Sequence, residues 1–163
     1  MFNNLIQDRR GQGSVEALFV FPLLFMIFWS IVEFGFLMYD WAVISYNAST
    51  SAVTAATVGQ FNDSVRLQLA QNLQNWTVNG QTFTYDAGGA ASPGSFDENT
   101  VYIWGTDKDT PVQKGEYIQV YISYPIKMQL FLFDVLGSWV VSDESFRLRM
   151  DFAFPSEVYF ENL

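Results

Sequence analysis

The feature that most constrains this chain is a long uncharged apolar segment close to its N-terminus. Residues 17–32 contain no charged side chain, and the apolar character resumes after Glu33 and continues to Tyr39. Read as one helix, residues 17–39 rise about 34 Å, enough to cross a hydrocarbon core of roughly 30 Å. A buried helix of a soluble domain is the alternative, but such helices rarely contain so many consecutive large apolar residues. The segment therefore predicts a transmembrane helix.

The charges on either side of this segment predict its orientation. Arg9 and Arg10 precede it, Asp40 follows it, and the next basic residue is Arg66. Because basic residues stay on the cytoplasmic side, we expect a cytoplasmic N-terminus and an exported C-terminal part. A cleavable secretory signal fits poorly, since its apolar core spans only about 7–15 residues and a small-residue site follows it.

Composition excludes several classes of function. The net charge is −9, from 8 basic and 17 acidic side chains, so the chain lacks the basic surface that nucleic-acid binding needs. Without cysteine or histidine it has no disulfides, no thiolate nucleophile, no Cys/His zinc site and no Ser-His-Asp triad. Carboxylates at Asp97, Glu98, Asp107 and Asp109 lack the spacing of a calcium loop. We therefore predict a protein that is not an enzyme, with no catalytic residue, cofactor or metal.

Two residues of the apolar segment admit more than one interpretation. Glu16, at its start, is either a carboxylate of the first helical turn favoured by the helix dipole, or a charge that an assembly must pair. Pro22 removes one helical hydrogen bond. It indicates either a mild kink or a local bend that helps the helix leave the bilayer and enter a filament.

The N-terminal sequence resembles the processing site of type IV prepilins. "RRG" is followed by "QGSVE" and then by the apolar helix, and in that family a peptidase cuts after the glycine, here between Gly11 and Gln12. The closer resemblance is to the TadE-like pilins of the Tad branch, over residues 9–41. The positions that fit their pattern are Val15, Glu16, Pro22, Glu33, Phe34 and Gly35.

This resemblance implies a pilin or pseudopilin, more in keeping with a minor subunit because of its added domain. It would be cleaved by a prepilin peptidase and assembled from the inner membrane by a pilus platform, with copies of itself or other pilins as partners. The implied assembly residues are Glu16, Pro22 and Glu33. Cleavage would leave a new amine at Gln12 as a counter-charge for Glu16 of a neighbouring subunit. The assembled filament would lie outside the cell and serve adhesion or surface attachment.

The predicted organisation is a leader at residues 1–11, a helix at 12–58 and an exported α+β domain at 59–163. Residues 45–60 are rich in Ala, Ser and Thr, and we expect them to extend the first helix until Gly59 ends it. A flexible linker is the alternative. As a helix, this stretch would present four alanines to partner subunits: Ala48, Ala52, Ala55 and Ala56.

The remaining pattern predicts a short helix and an antiparallel sheet of about four strands. The helix would bury a stripe of Val65, Leu69, Leu73 and Trp76, and the clearest strand would bury Ile118, Val120, Ile122 and Tyr124. A last strand would place Phe146, Leu148, Met150, Phe152 and Phe154 on one face. Residues 126–141 fit a helix or a strand, and the tail after Pro155 either docks or is disordered.

Two other hypotheses remain open at this stage. The chain is an uncleaved single-pass membrane protein whose outer domain binds a partner in the envelope, or it is an anchored envelope enzyme. The second is disfavoured because no catalytic motif is visible.

Overall fold

The computed structural model describes residues 12–127 and 146–160, which form two helices and a four-stranded sheet. The elements are α1 (Gln12–Val58), α2 (Asp63–Trp76), a 3-10 helix (Gly80–Thr82), β1 (Thr84–Gly89), β2 (Thr100–Gly105), β3 (Tyr117–Pro125) and β4 (Arg147–Pro155). The α+β class predicted from the sequence is confirmed. The predicted leader and most of the ambiguous segment 126–141 lie outside the described residues. The chain divides into two compact units, residues 1–35 and 36–163.

Helix α1 ends where the sequence predicts, at Val58. Gly59 follows with a φ of 78°, a backbone conformation that side chains disfavour, and its N–H donates to the carbonyl of Ala55 at 2.8 Å. A side chain at Gly59 would also meet the ring of Phe160 at 2.9 Å. The residue is therefore fixed by both its backbone conformation and its surroundings.

The alanine face of α1 is buried in the chain's own domain. Ala48, Ala52 and Ala55 have no exposed surface, and together with Ile44 they join the core formed by α2 and the sheet. The prediction that Ala48, Ala52, Ala55 and Ala56 face partner subunits is therefore wrong. Their spacing marks a packing face correctly, but small side chains suit a neighbouring subunit and the chain's own domain equally well.

Helix α2 buries most of its predicted stripe. Its N-terminus is capped by Asn62, whose side-chain oxygen accepts the N–H of Val65 at 3.1 Å. Leu69 and Leu73 are fully buried, but Trp76 is 63% exposed and its prediction as core is wrong. The buried face continues in steps of four residues to Thr77, which takes an extended backbone and closes the helix.

The strands lie in the order β1-β2-β3-β4. β3 pairs antiparallel with β2 and β4, and its predicted inward residues are all buried. β1 and β2, however, pair in parallel, with Thr84 opposite Thr100, where we predicted an antiparallel sheet throughout. The Gly- and Pro-containing loop at residues 90–99, when extended, can span more than the length of β1, so the chain can return to the level of Thr84 before β2 begins.

A buried arginine ties α2 to the sheet. Arg66 is 1% exposed, and its guanidinium donates to the carbonyls of Phe61 (2.8 Å), Ala87 (3.1 Å), Gly89 (2.6 Å) and Thr106 (2.7 Å). Burial lowers the pKa of Arg66, but an arginine remains protonated in proteins. The guanidinium is thus hydrogen-bonded to backbone carbonyls from three parts of the chain, and the nearby carboxylates of Asp63 and Asp107 also favour its charge.

The tail beyond β4 docks on the domain over residues 156–160, the first of its two predicted states. Ser156 Oγ donates to the carbonyl of Val112 at 2.7 Å, and the N–H of Glu157 donates to the carbonyl of Ala56 at 3.0 Å. Gln113 holds the backbone of Phe160 through both ends of its amide. The tail therefore covers the end of α1.

We expect Ala52→Leu to lower the free energy of unfolding of the domain by about 1–3 kcal/mol, because three extra carbon atoms must fit into a filled core. Ala42→Leu is the matched control: Ala42 is exposed on the same helix, so its replacement should change stability by less than about 0.5 kcal/mol. Urea unfolding of the full chain in mild detergent, followed by near-UV circular dichroism, measures both. Equal stability of the two variants would contradict the burial of this face.

Candidate membrane and assembly helix

The first half of α1 exposes nearly all of its large apolar side chains. Between residues 15 and 41 these are Val15, Leu18, Phe19, Val20, Phe21, Leu23, Leu24, Phe25, Met26, Ile27, Phe28, Trp29, Ile31, Phe34, Phe36, Met38, Tyr39 and Trp41. Soluble monomers rarely expose contiguous apolar patches beyond a few hundred Å². Among the described residues, one helix is long and apolar enough to span a membrane, and it is this one. Its length and apolar surface suit a lipid environment and indicate a membrane-anchored protein.

Glu16 lies one turn inside α1, with its side chain exposed at the start of the apolar surface. Both interpretations of Glu16 given above therefore stay predictions. Glu33 lies on the same helix, half-buried, ahead of Phe34.

Pro22 is accommodated without a break in the helix. α1 continues as one α-helix from Gln12 to Val58 and includes Pro22. Helices in a bilayer tolerate proline because neighbouring groups satisfy the carbonyl that it leaves without a donor. Gly11, the residue before the predicted cleavage point, lies outside the described residues, and α1 begins at Gln12.

Directly after the apolar segment, α1 is fastened to the segment that follows α2. Asp40 Oδ1 accepts the backbone N–H of Val78 at 2.8 Å. Since α2 starts close to the C-terminal end of α1, this hydrogen bond shows that α2 returns along α1 toward residue 40. The sequence gives no sign of the contact, because its two residues are 38 positions apart.

Two tyrosines hold the same segment from the side of the sheet. Tyr124 donates its hydroxyl to Thr77 Oγ1 at 2.7 Å, and Thr77 donates to the carbonyl of Leu73 at 2.6 Å. Tyr85 donates to the carbonyl of Gly80 at 3.0 Å. Burial raises the pKa of Tyr85 to about 12 and raises that of Tyr124 as well, although the hydrogen bond with Thr77 opposes the shift in both.

The outer face of the sheet carries a cluster of aromatic side chains that an arginine contacts. Trp104 stacks on Tyr121 with ring centroids 5.6 Å apart, and Phe96 meets Tyr102 edge-on at 5.4 Å. The guanidinium of Arg147 lies 5.1 Å from the ring centroid of Phe96. It also donates to the carbonyls of residues 97 and 100, so it fastens the loop before β2 to β4.

The loop carboxylates cap turns. Asp97 Oδ1 accepts the N–H of Asn99 at 2.8 Å, and Asp107 Oδ1 accepts that of Asp109 at 3.2 Å. Within residues 12–127 and 146–160 no group of three or more acidic side chains converges as a metal site would require.

The tyrosine contacts predict a loss of stability at high pH. Because the pKa of both buried tyrosines is raised in the folded state, their contribution is complete below about pH 10 and is lost as the pH rises through about 12. Tyr85→Phe should lessen this loss while costing about 1 kcal/mol at neutral pH. Tyr117→Phe, at an exposed position, is the control. Urea midpoints measured across this pH range would contradict the assignment if wild type and Tyr85→Phe weaken equally.

Comparison with known proteins identifies the helix. The family model of the TadE-like proteins matches residues 11–53, a minority of the chain that lies almost wholly within α1 and includes Glu16, Pro22 and Glu33. No curated protein and no solved structure matches the chain significantly. The TadE-like family is a structural family associated with the Tad pilus. The resemblance inferred from residues 9–41 is thereby confirmed: over residues 11–53 this chain is similar to the TadE-like proteins.

Proposed function

We propose that the protein is a structural subunit of a Tad-type pilus, a minor pilin or pseudopilin. It is inserted in the inner membrane with its N-terminus in the cytoplasm, cleaved after Gly11 by a prepilin peptidase, and passed by the assembly platform into an extracellular filament. The observation that carries this proposal is the exposed apolar surface of α1, which starts at Glu16 and lies inside the segment matched by the family model.

The apolar surface of α1 is suited to two environments, one before assembly and one after it. Before assembly, residues 17–39 lie in the bilayer, where their length suits the hydrocarbon core. In the filament, the same side chains pack against neighbouring copies of the helix. A contact between different faces of identical subunits does not close on itself, and it therefore propagates as a fibre.

Glu16 supplies the polar part of this contact. A carboxylate in an apolar environment is tolerated when a cation pairs with it, and cleavage creates one at the amine of Gln12. A pair between Glu16 of one subunit and the amine of the next would also fix their axial register, a role known for buried polar groups. Pro22 and Glu33 lie on the same helix and are proposed to adjust its packing.

The domain restricts which part of α1 is available for assembly. The face of α1 from Ile44 to Ala56 is buried in the domain. Contacts with other subunits are therefore limited to the earlier apolar segment and to the opposite side of the helix. That side carries Tyr46, 71% exposed, and Val53, 43% exposed, and no charged residue occurs from 41 to 62. The acidic remainder of the domain would cover the filament and contact surfaces during adhesion.

Intact mass spectrometry of filaments sheared from cells tests processing. We expect a chain that begins at Gln12, and Gly11→Val should leave a chain that begins at Met1 in the membrane fraction. Gly13→Val is the matched control, because a side chain at Gly13 meets nothing within 4 Å and the cleaved bond is unchanged. Filaments built from the uncut chain would contradict the cleavage, and an uncut wild-type chain confined to the membrane fraction would favour the alternative, an uncleaved single-pass protein that binds an envelope partner.

Charge removal at Glu16 tests assembly. Glu16→Gln keeps the shape of the side chain and removes its charge, so we expect normal amounts in the membrane and at least a tenfold loss from the filament fraction, as for a broken ion pair. Glu16→Asp retains the charge and should recover part of the assembly. If Glu16→Gln assembled like wild type, the proposed pair would be wrong.

A further inference from the structure

Two large apolar side chains remain exposed at and just after the end of α2, and the sequence predicted the first of them, Trp76, as core. Trp76 is 63% exposed and Val78 is 40% exposed, while Thr77 between them is buried. The backbone is held in place from both sides, by the hydrogen bond of Val78 to Asp40 and by that of Thr77 to Tyr124. The segment at residues 76–79 therefore presents a tryptophan and a valine outward from a fixed backbone.

This segment lies at the level of α1 where the apolar run ends. Val78 is hydrogen-bonded to Asp40, which directly follows residues 17–39. Tyr39 and Trp41, on either side of Asp40, are 48% and 49% exposed. Tryptophan and tyrosine concentrate at the boundary between hydrocarbon and water, because the ring is apolar and its N–H or O–H reaches polar groups. Aromatic side chains from two separate elements thus lie at one level.

A basic residue lies beside the same segment. Asn79 Nδ2 donates to the backbone carbonyl of Lys127 at 3.2 Å, and the ammonium of Lys127 lies 4.9 Å from the centroid of the Phe83 ring. Lys127 is exposed, in a chain whose net charge is −9. An exposed lysine whose backbone is hydrogen-bonded to Asn79, the residue after Val78, suits the phosphate and glycerol region of a lipid surface.

We propose that residues 76–79 and Lys127 form a second membrane contact, seated in the headgroup region of the outer leaflet while the chain is anchored by α1. The contact rests on the proposed function, because the level of the bilayer is set by residues 17–39. It holds the domain against the membrane before assembly. The partner is the lipid surface, because the segment is hydrogen-bonded to Asp40, the residue directly after the proposed membrane-spanning residues.

Single thiols measure the depth of this segment, since the chain has no cysteine of its own. Val78→Cys and Leu67→Cys are labelled with one fluorophore in the full chain, which is reconstituted in phosphatidylcholine–phosphatidylglycerol vesicles containing a lipid with a nitroxide on its headgroup. Leu67 is the matched control: it is 58% exposed on the same helix, and nine residues separate it from Trp76, about 14 Å along the helix axis. We expect the nitroxide to quench the label at 78 at least about twofold more than the label at 67, because of that difference in height.

Removal of the tryptophan tests whether the contact depends on it. Trp76→Ala in the Val78→Cys background should bring quenching down toward the value at position 67. Because Trp76 is largely exposed, the fold should persist, which the near-UV circular dichroism of the domain would show. Quenching unchanged by Trp76→Ala would overturn the role of the segment.

The outcomes separate this inference from the proposed function. If the chain floats with the vesicles but the labels at 78 and 67 are quenched equally, the second contact is wrong and the membrane anchor stands. If the chain does not float with the vesicles, both are wrong. A third outcome would identify a second copy of the chain as the partner and would also overturn the lipid contact. In it, the label at 78 is protected from aqueous iodide and is not quenched by the nitroxide, and it becomes accessible to iodide when the protein is diluted into more lipid.

Discussion

The structure depends on the burial of one face of α1 in the domain that follows it. From Ile44 to Ala56 this face has almost no exposed surface, and it shares one core with α2 and the sheet. Gly59 and the docked tail then close the end of the helix. The helix that carries the apolar segment therefore also contributes to the core of the domain, and residues 45–58 are helical where a flexible linker was the alternative. This explains why the charge-free stretch after residue 40 is ordered even though its small side chains resemble those of a linker.

The sequence predicted those features that a local period encodes. The 3.6-residue period of α2 marks Val65, Leu69 and Leu73, and the alternation in β3 marks four of its buried residues, since each pattern states which face is apolar. A period does not state what covers that face, so the alanines of α1 were assigned to other subunits. It also does not show where a helix ends, and for this reason Trp76 was taken as core in place of Thr77. The parallel pairing of β1 with β2 was missed because the direction of a strand depends on the path of the loop at residues 90–99.

The contacts that position the candidate site could not be predicted, because their partners are far apart in sequence. Asp40 and Val78 are 38 residues apart, and Tyr124 and Thr77 are 47 apart. A buried Tyr124 does imply that its hydroxyl has a partner, but nothing in the sequence identifies it. The same holds for Arg66, since its position in α2 gives no sign that it binds the carbonyls of Gly89, at the end of β1, and Thr106, directly after β2. By contrast, Glu16, Pro22 and Glu33 were chosen from the sequence pattern of residues 9–41, and all three lie inside the matched segment 11–53.

The apolar surface of α1 alone does not decide between bilayer and filament. Lipid tails are as apolar as leucine side chains, so transfer of residues 17–39 from lipid to neighbouring helices yields little hydrophobic free energy. The difference between the two states must then come from close packing and from polar groups that change partners. Glu16 is such a group in the proposed filament, since its proposed counter-charge comes from another subunit. The aromatic side chains around Asp40 act in the opposite sense in the proposed membrane state, because a tryptophan that leaves the lipid boundary gives up a favourable environment. Extraction into a filament is thus expected to depend on a balance between a new ion pair at one end of the apolar segment and lost interfacial contacts at the other.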